Sequence, residues 1–111
     1  VIGTKEKVKS LLDFEEICYD VLAFDLVMTF VGFGWEDGHP IAVRWNSLLA
    51  GYQSIRTLND AEINALPDLH RLATLSIAAW RYWQFVINLP NTEHTDRYLE
   101  MTERLDKELP F

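Results

Sequence analysis

The chain has 111 residues, 49% of them hydrophobic and 13% aromatic, which is enough for one core and too few for two, so residues 1–111 read as a single unit. Seventeen Asp and Glu against ten Lys and Arg give a net charge of −7, which with the absence of a basic patch argues against nucleic acid as a partner. Collagen, coiled coil and disorder are excluded by composition.

Val1–Ile2 and Lys9–Phe14 read as two short strands joined by the polar turn Gly3-Thr4-Lys5-Glu6-Lys7, a hairpin signal. From about Tyr19 to Phe33 the apolar residues run almost unbroken, and the length favours a buried helix. Gly32, Gly34, Gly38 and Pro40 then predict a loop. Between Ile41 and Ile55, Val43, Leu48, Leu49 and Tyr52 lie near helical spacing and predict an amphipathic helix. Asn59 followed three residues later by Glu62 has the form of a capping box, so a short helix is expected over Asp60–Leu66. Pro67 fits the first turn of a separate helix that runs to about Asn88. Pro90-Asn91 ends it, and Thr95–Leu109 reads as a last, charged helix with Tyr98, Met101 and Leu105 on one face. The fold class expected is α+β and mostly helical, a short β-hairpin followed by about five helices.

The longest apolar run, residues 21–34, is too short to span a bilayer and is interrupted by Asp25. With one cysteine, Cys18, and no visible secretory leader, a reduced cytoplasmic setting and no membrane are expected. The first residue is Val1 rather than Met, as in a piece of something longer.

Asp13 follows Ser-Leu-Leu at the end of a predicted strand, a rim carboxylate of the kind that ligates Mg²⁺; the alternative is an Asp that caps a loop. Asp25, inside an apolar helix, calls for backbone N–H donors or a cation and reads as structural. Glu15 and Glu16 either add charge to a metal site or solvate a loop. His39, His70 and His94 lack zinc-site spacing, Cys18 beside acidic residues is a poor nucleophile, and no Gly-rich phosphate loop is present. Trp80, Arg81, Tyr82, Trp83 and Phe85 form an aromatic cluster with one cation. In one reading Trp80 and Trp83 wall an acceptor pocket in which Arg81 holds an anion; in the other the rings are core or interface.

Taken together, Val-Ile-Gly with a short turn, Lys-Ser-Leu-Leu-Asp-Phe, Tyr19-Asp20 and the Phe-Asp-Leu of the apolar helix resemble the second half of aminoglycoside/choline-kinase-type phosphotransferases. Residues 49–56 (Leu-Ala-Gly-Tyr-Gln-Ser-Ile-Arg), with Leu58, Glu62, Leu66-Pro67 and Arg71, resemble the homoserine-kinase-type and stress-response-kinase-like branch. Trp80-Arg81, Gln84-Phe85, Asp96 and Tyr98 are similar to members of that branch whose substrates are unassigned. The resemblance covers nearly the whole chain and implies the C-terminal lobe of a protein-kinase-like fold. By it, Asp13 binds the Mg²⁺ ions that bridge the nucleotide phosphates, and Asp25 braces the catalytic loop through backbone N–H groups.

The chain departs from the family in three places. Glu15 replaces the Gly usual after Asp-Phe, which alters the metal-loop backbone, and Ser76-Ile77-Ala78 replaces the stretch familiar from homoserine kinases. The nucleotide lobe and the His-Gly-Asp-x-x-x-x-Asn catalytic loop, with its proton-accepting Asp, are absent, as though the chain were cut just after that loop. The resemblance therefore implies the C-terminal portion of an ATP-dependent kinase acting on a hydroxyl of a small molecule such as an amino alcohol, amino acid or aminoglycoside. Its partners would be ATP, the hydroxylated acceptor and its own missing N-terminal lobe, and the isolated chain would be inactive. The rival is a non-catalytic helical interaction domain on the same scaffold, its aromatic face an interface; a homodimer is compatible with either.

Overall fold

The computed structural model describes residues 1–14 and 18–111; the expectations for Glu15 and Glu16 lie outside the described residues. The chain opens with a hairpin of β1 (Ile2–Gly3) and β2 (Val8–Ser10), antiparallel, with Ile2 opposite Ser10 and Gly3 opposite Val8. The turn closes through Thr4 N–H to the Lys7 carbonyl at 2.9 Å. Every residue of both strands is exposed, so this hairpin adds nothing to the core. The second strand is shorter than expected: Ile2 already pairs with Ser10, so only Val1 is left to extend the ladder, and the backbone turns left-handed further on, at Asp13 (φ 74°).

Helix α1 (Leu22–Phe33) sends Ala23, Leu26, Val27, Phe30 and Val31 into the core, the spacing of one helical face. The loop expected after it is a second hairpin, β3 (Trp35–Glu36) and β4 (His39–Pro40), with Trp35 opposite Pro40 and Glu36 opposite His39. Asp37 (φ 49°) and Gly38 (φ 76°) supply the two positive dihedrals that a two-residue hairpin turn requires. The Ile41 N–H reaches back to the Gly34 carbonyl at 2.8 Å and leads the chain into α2 (Ala42–Gln53), which packs on α1 with Trp45 buried.

The expected break at Pro67 does not occur: α3 runs from Asp60 to Tyr82 with the proline inside it. The ring removes the hydrogen bond to the Ile63 carbonyl, but Pro67 and Ile63 both lie on the exposed side, where the loss costs least because solvent is at hand. Leu66 and His70, buried on either side, hold the axis through the defect. The Asn59 cap forms as expected: its Oδ1 accepts from Glu62 N–H and Glu62 Oε2 accepts from Asn59 N–H, each at 2.9 Å. Past Tyr82 the helix widens into a π segment, Trp83–Asn88. The last helix is shorter than expected, α4 (Arg97–Glu103) with one 3₁₀ turn, Arg104–Asp106. Among the described residues four α-helices therefore replace the expected five, and the fold is α+β and mostly helical.

Helix α3 is the spine, packing against α1 and α4. Between them sits an aromatic group. Phe30 meets Trp45, Phe111, His70 and Trp35 with ring centroids at 5.2, 5.8, 5.9 and 6.4 Å, and Phe111 lies 4.2 Å from Trp45.

Candidate functional site

At the end of the first hairpin, Asp13, Asp20 and Asp25 line one cleft of about 520 Å³ whose apolar wall includes Phe14, Leu22 and Met28. The left-handed Asp13 is exposed. Asp20 Oδ1 accepts from the Val21 N–H at 2.7 Å, tying the cleft floor to the start of α1. Asp25 corrects an expectation: it is not a buried carboxylate surrounded by donors but an exposed one in the first turn of α1, where the helix N-terminus favours negative charge. Its side chain makes no hydrogen bond among the described residues, and its backbone carbonyl also accepts from Thr29 Oγ1 at 2.7 Å. The apolar run around it is explained by its neighbours Leu26 and Val27, which face the core.

Among the described residues, no three His, Cys, Asp or Glu side chains come together closely enough to hold a metal ion by themselves. The donor set still suits Mg²⁺, a hard cation commonly held through one or two carboxylates with the remaining positions filled by substrate phosphates and water.

Trp80, Arg81 and Trp83 are not on this cleft. Trp80 on α3 and Trp83 at the start of the π segment are half exposed, and Trp80 packs edge-on to Phe85 at 6.0 Å. Arg81 Nη1 donates to the Arg97 carbonyl and to Glu100 Oε2, both at 3.0 Å, so this guanidinium ties α3 to α4. Burial pushes the Glu100 carboxyl up, but the hydrogen bonds and charges of Arg81 and Arg104 outweigh it and hold the group below the usual range.

The feature that the sequence reading missed is Arg104. It is 9% exposed, its Nη1 donates to the Val31 carbonyl and its Nη2 to Glu100 Oε1, both at 2.9 Å, and its guanidinium lies 4.7 Å from the Trp35 ring centre. The ring of His70, 3% exposed, stacks on the same Trp35 at 5.7 Å. Burial, with Arg104 nearby, lowers the His70 pKa to about 4. An i, i+4 Glu100–Arg104 pair was the available signal, and it reads as an ordinary surface pair until the fold brings Val31 to it.

The fold and cleft define a mostly helical α+β unit with an acidic, partly apolar cleft at one end of its hairpin. Over 82 residues, 73% of the chain, it is 35% identical to the homoserine kinase of Rhizobium johnstonii and 37% identical to that of Rhizobium rhizogenes, in each case across 26% of the relative. Over 86 residues, 77% of the chain, it is 34% identical to the homoserine kinase of Azorhizobium caulinodans, again across 26% of that protein. The chain thus matches about a quarter of the length of these curated relatives. No family model matches it, and no solved structure does. Among the described residues, no helix is long and apolar enough to cross a membrane.

Proposed function

We propose that this chain is the metal- and acceptor-side part of an ATP-dependent kinase that phosphorylates a hydroxyl of a small molecule, homoserine being the first candidate. The observation that carries this reading is the identity of about one third to homoserine kinases across three quarters of the chain. Asp13 would hold Mg²⁺, which when bound offsets the negative charge of the phosphates. The exposed carboxylate of Asp25 is free to accept backbone N–H groups from a catalytic loop upstream, and that loop would supply the proton-accepting Asp. Asp20, fixed by its bond to Val21 N–H, sets the position of the cleft wall between them. The exposed lone thiol of Cys18 goes with a reducing cytoplasm.

The test is ATP-dependent phosphorylation of homoserine and of other hydroxylated amines by the protein expressed from its whole reading frame. Asp13→Asn is expected to lower kcat by about two orders of magnitude or more, the scale seen when one charge-stabilising group is lost. Unchanged turnover in Asp13→Asn would overturn the role of Asp13, and no turnover with any hydroxylated acceptor would overturn the kinase reading.

One observation favours a second reading, a binding domain without catalysis: Trp80 and Trp83, aromatic residues of the kind that anchor interfaces, are half exposed. A solution mass near twice 12.9 kDa that falls to the monomer value in Trp83→Ala would support it.

A further inference from the structure

Residues 107–111 leave the last 3₁₀ turn without helix or strand and lay Leu109 and Phe111 against the core. Beyond the Lys107 N–H bond to the Arg104 carbonyl at 3.2 Å, this strap has no backbone hydrogen bond to the body among the described residues, so apolar contact holds it. A groove of about 420 Å³ runs between it and α3, lined by Asp68, His70 and Arg71 on one side and by Lys107, Glu108 and Phe111 on the other. The contact is therefore concentrated at Phe111, whose ring sits 4.2 Å from Trp45 and 5.8 Å from both Phe30 and His70.

His70 is the weak point of that seat. Its ring is enclosed by Phe30, Trp35 and Phe111, and its Nε2 is buried without a hydrogen-bond partner among the described residues, as are Trp35 Nε1 and Arg104 Nε beside it. The charged groups around it are Arg104 against Trp35, Glu100 already engaged by Arg104 and Arg81, Asp68 and Arg71 on α3, and Lys107 and Glu108 on the strap; α1 presents only Phe30 and β3 only Trp35. A proton on His70 would put a second cation into an aromatic enclosure next to Arg104, with no carboxylate bonded to it. Lifting the strap gives the imidazolium access to water and leaves it beside the Asp68 carboxylate on α3.

We infer that residues 107–111 are a releasable strap, docked over neutral His70 and freed when His70 takes up a proton, which uncovers the Phe30–Trp45 aromatic seat. The sign follows from linkage: a histidine whose pKa is depressed while docked stabilises docking above its free value and loses that contribution as the pH falls. With His70 at about 4 when docked, and 6.5 as the upper bound once the strap is lifted, the docking equilibrium falls by up to roughly 20-fold between pH 7 and pH 5.

The experiment is NMR on the 111-residue chain, following the cross-peaks between the Phe111 and Trp45 rings from pH 7 to about 5 together with the α3 amides. The expected result is loss of those cross-peaks with the α3 amides unchanged. In His70→Phe, which keeps an aromatic ring in the enclosure and removes the titrating nitrogen, they should persist across the range. Phe111→Ala is the second variant: it should expose the seat at neutral pH while leaving α3 intact. Cross-peaks that survive in the wild type at pH 5, or that vanish equally in His70→Phe, would overturn the inference.

Discussion

Replacing Gly34 with alanine tests the packing around which the helices assemble. A Cβ at this position would sit 1.9 and 2.1 Å from Cδ2 and Cε2 of Phe30, far inside van der Waals contact. The ring cannot swing away easily, because it is fully buried and is met by Trp35, Trp45, His70 and Phe111. Overpacking of this kind typically costs about 1–3 kcal/mol, and an immobile neighbour puts Gly34→Ala at about 3. Phe30→Ala alone should cost about 3–5 kcal/mol, from lost transfer energy and the cavity left behind. In the double variant the clash with the ring is gone, so the pair should cost less than the sum by about 2 kcal/mol, a coupling of the size found between touching residues. Since a domain of this length has about 5–15 kcal/mol of total stability, Phe30→Ala alone could consume much of it. Urea unfolding of the three variants and the wild type supplies the cycle. Strict additivity, or a Gly34→Ala variant as stable as the wild type, would refute this account of the Gly34–Phe30 contact.

Three further predictions concern the helix termini and the ion pairs. Asn59→Ala should lower stability by about 1 kcal/mol, read as a shift in the urea midpoint, because it removes the acceptor for the Glu62 N–H. Glu62 is held below the usual carboxylate range by the Asn59 N–H first and by Arg56 second, so its contribution is present above pH 4.5 and is lost as the pH falls through its lower folded value. A Glu62→Gln variant should be less sensitive to acid in that region than the wild type. Arg104→Met should cost about 2–3 kcal/mol, since the Val31 carbonyl loses a charged donor and Glu100 loses one of its two guanidinium partners. A thermal midpoint equal to the wild type's would show that this guanidinium does not tie α4 to α1.

The first hairpin, the apolar helix α1, the amphipathic α2 and the Asn59–Glu62 cap were legible because each is governed by neighbouring residues, through turn composition, hydrophobic period or side-chain capping. Pro67 misled for a physical reason: a proline inside a helix is costly in isolation, and only tertiary packing at Leu66 and His70 reveals that the helix continues. The second hairpin was overlooked although Asp37-Gly38 is a strong two-residue turn signal, because strands of two residues carry no period to detect. Asp13 and Asp25 could be singled out as residues, and the cleft they share with Asp20 could not, since it depends on how the hairpin end meets α1. The Arg104, Trp35 and His70 group was illegible because its members lie on separate elements and meet only through long-range packing.

The most direct test of the central claim is phosphorus NMR of homoserine incubated with ATP and Mg²⁺ in the presence of the protein expressed from its whole reading frame. The account predicts a new phosphomonoester resonance that grows with ADP formation and is nearly abolished by Asp13→Asn. The contradicting result is ATP and homoserine unchanged, with other hydroxylated amines equally inert; this would leave the exposed Trp80 and Trp83 face, rather than the Asp13 cleft, as the functional part of the molecule.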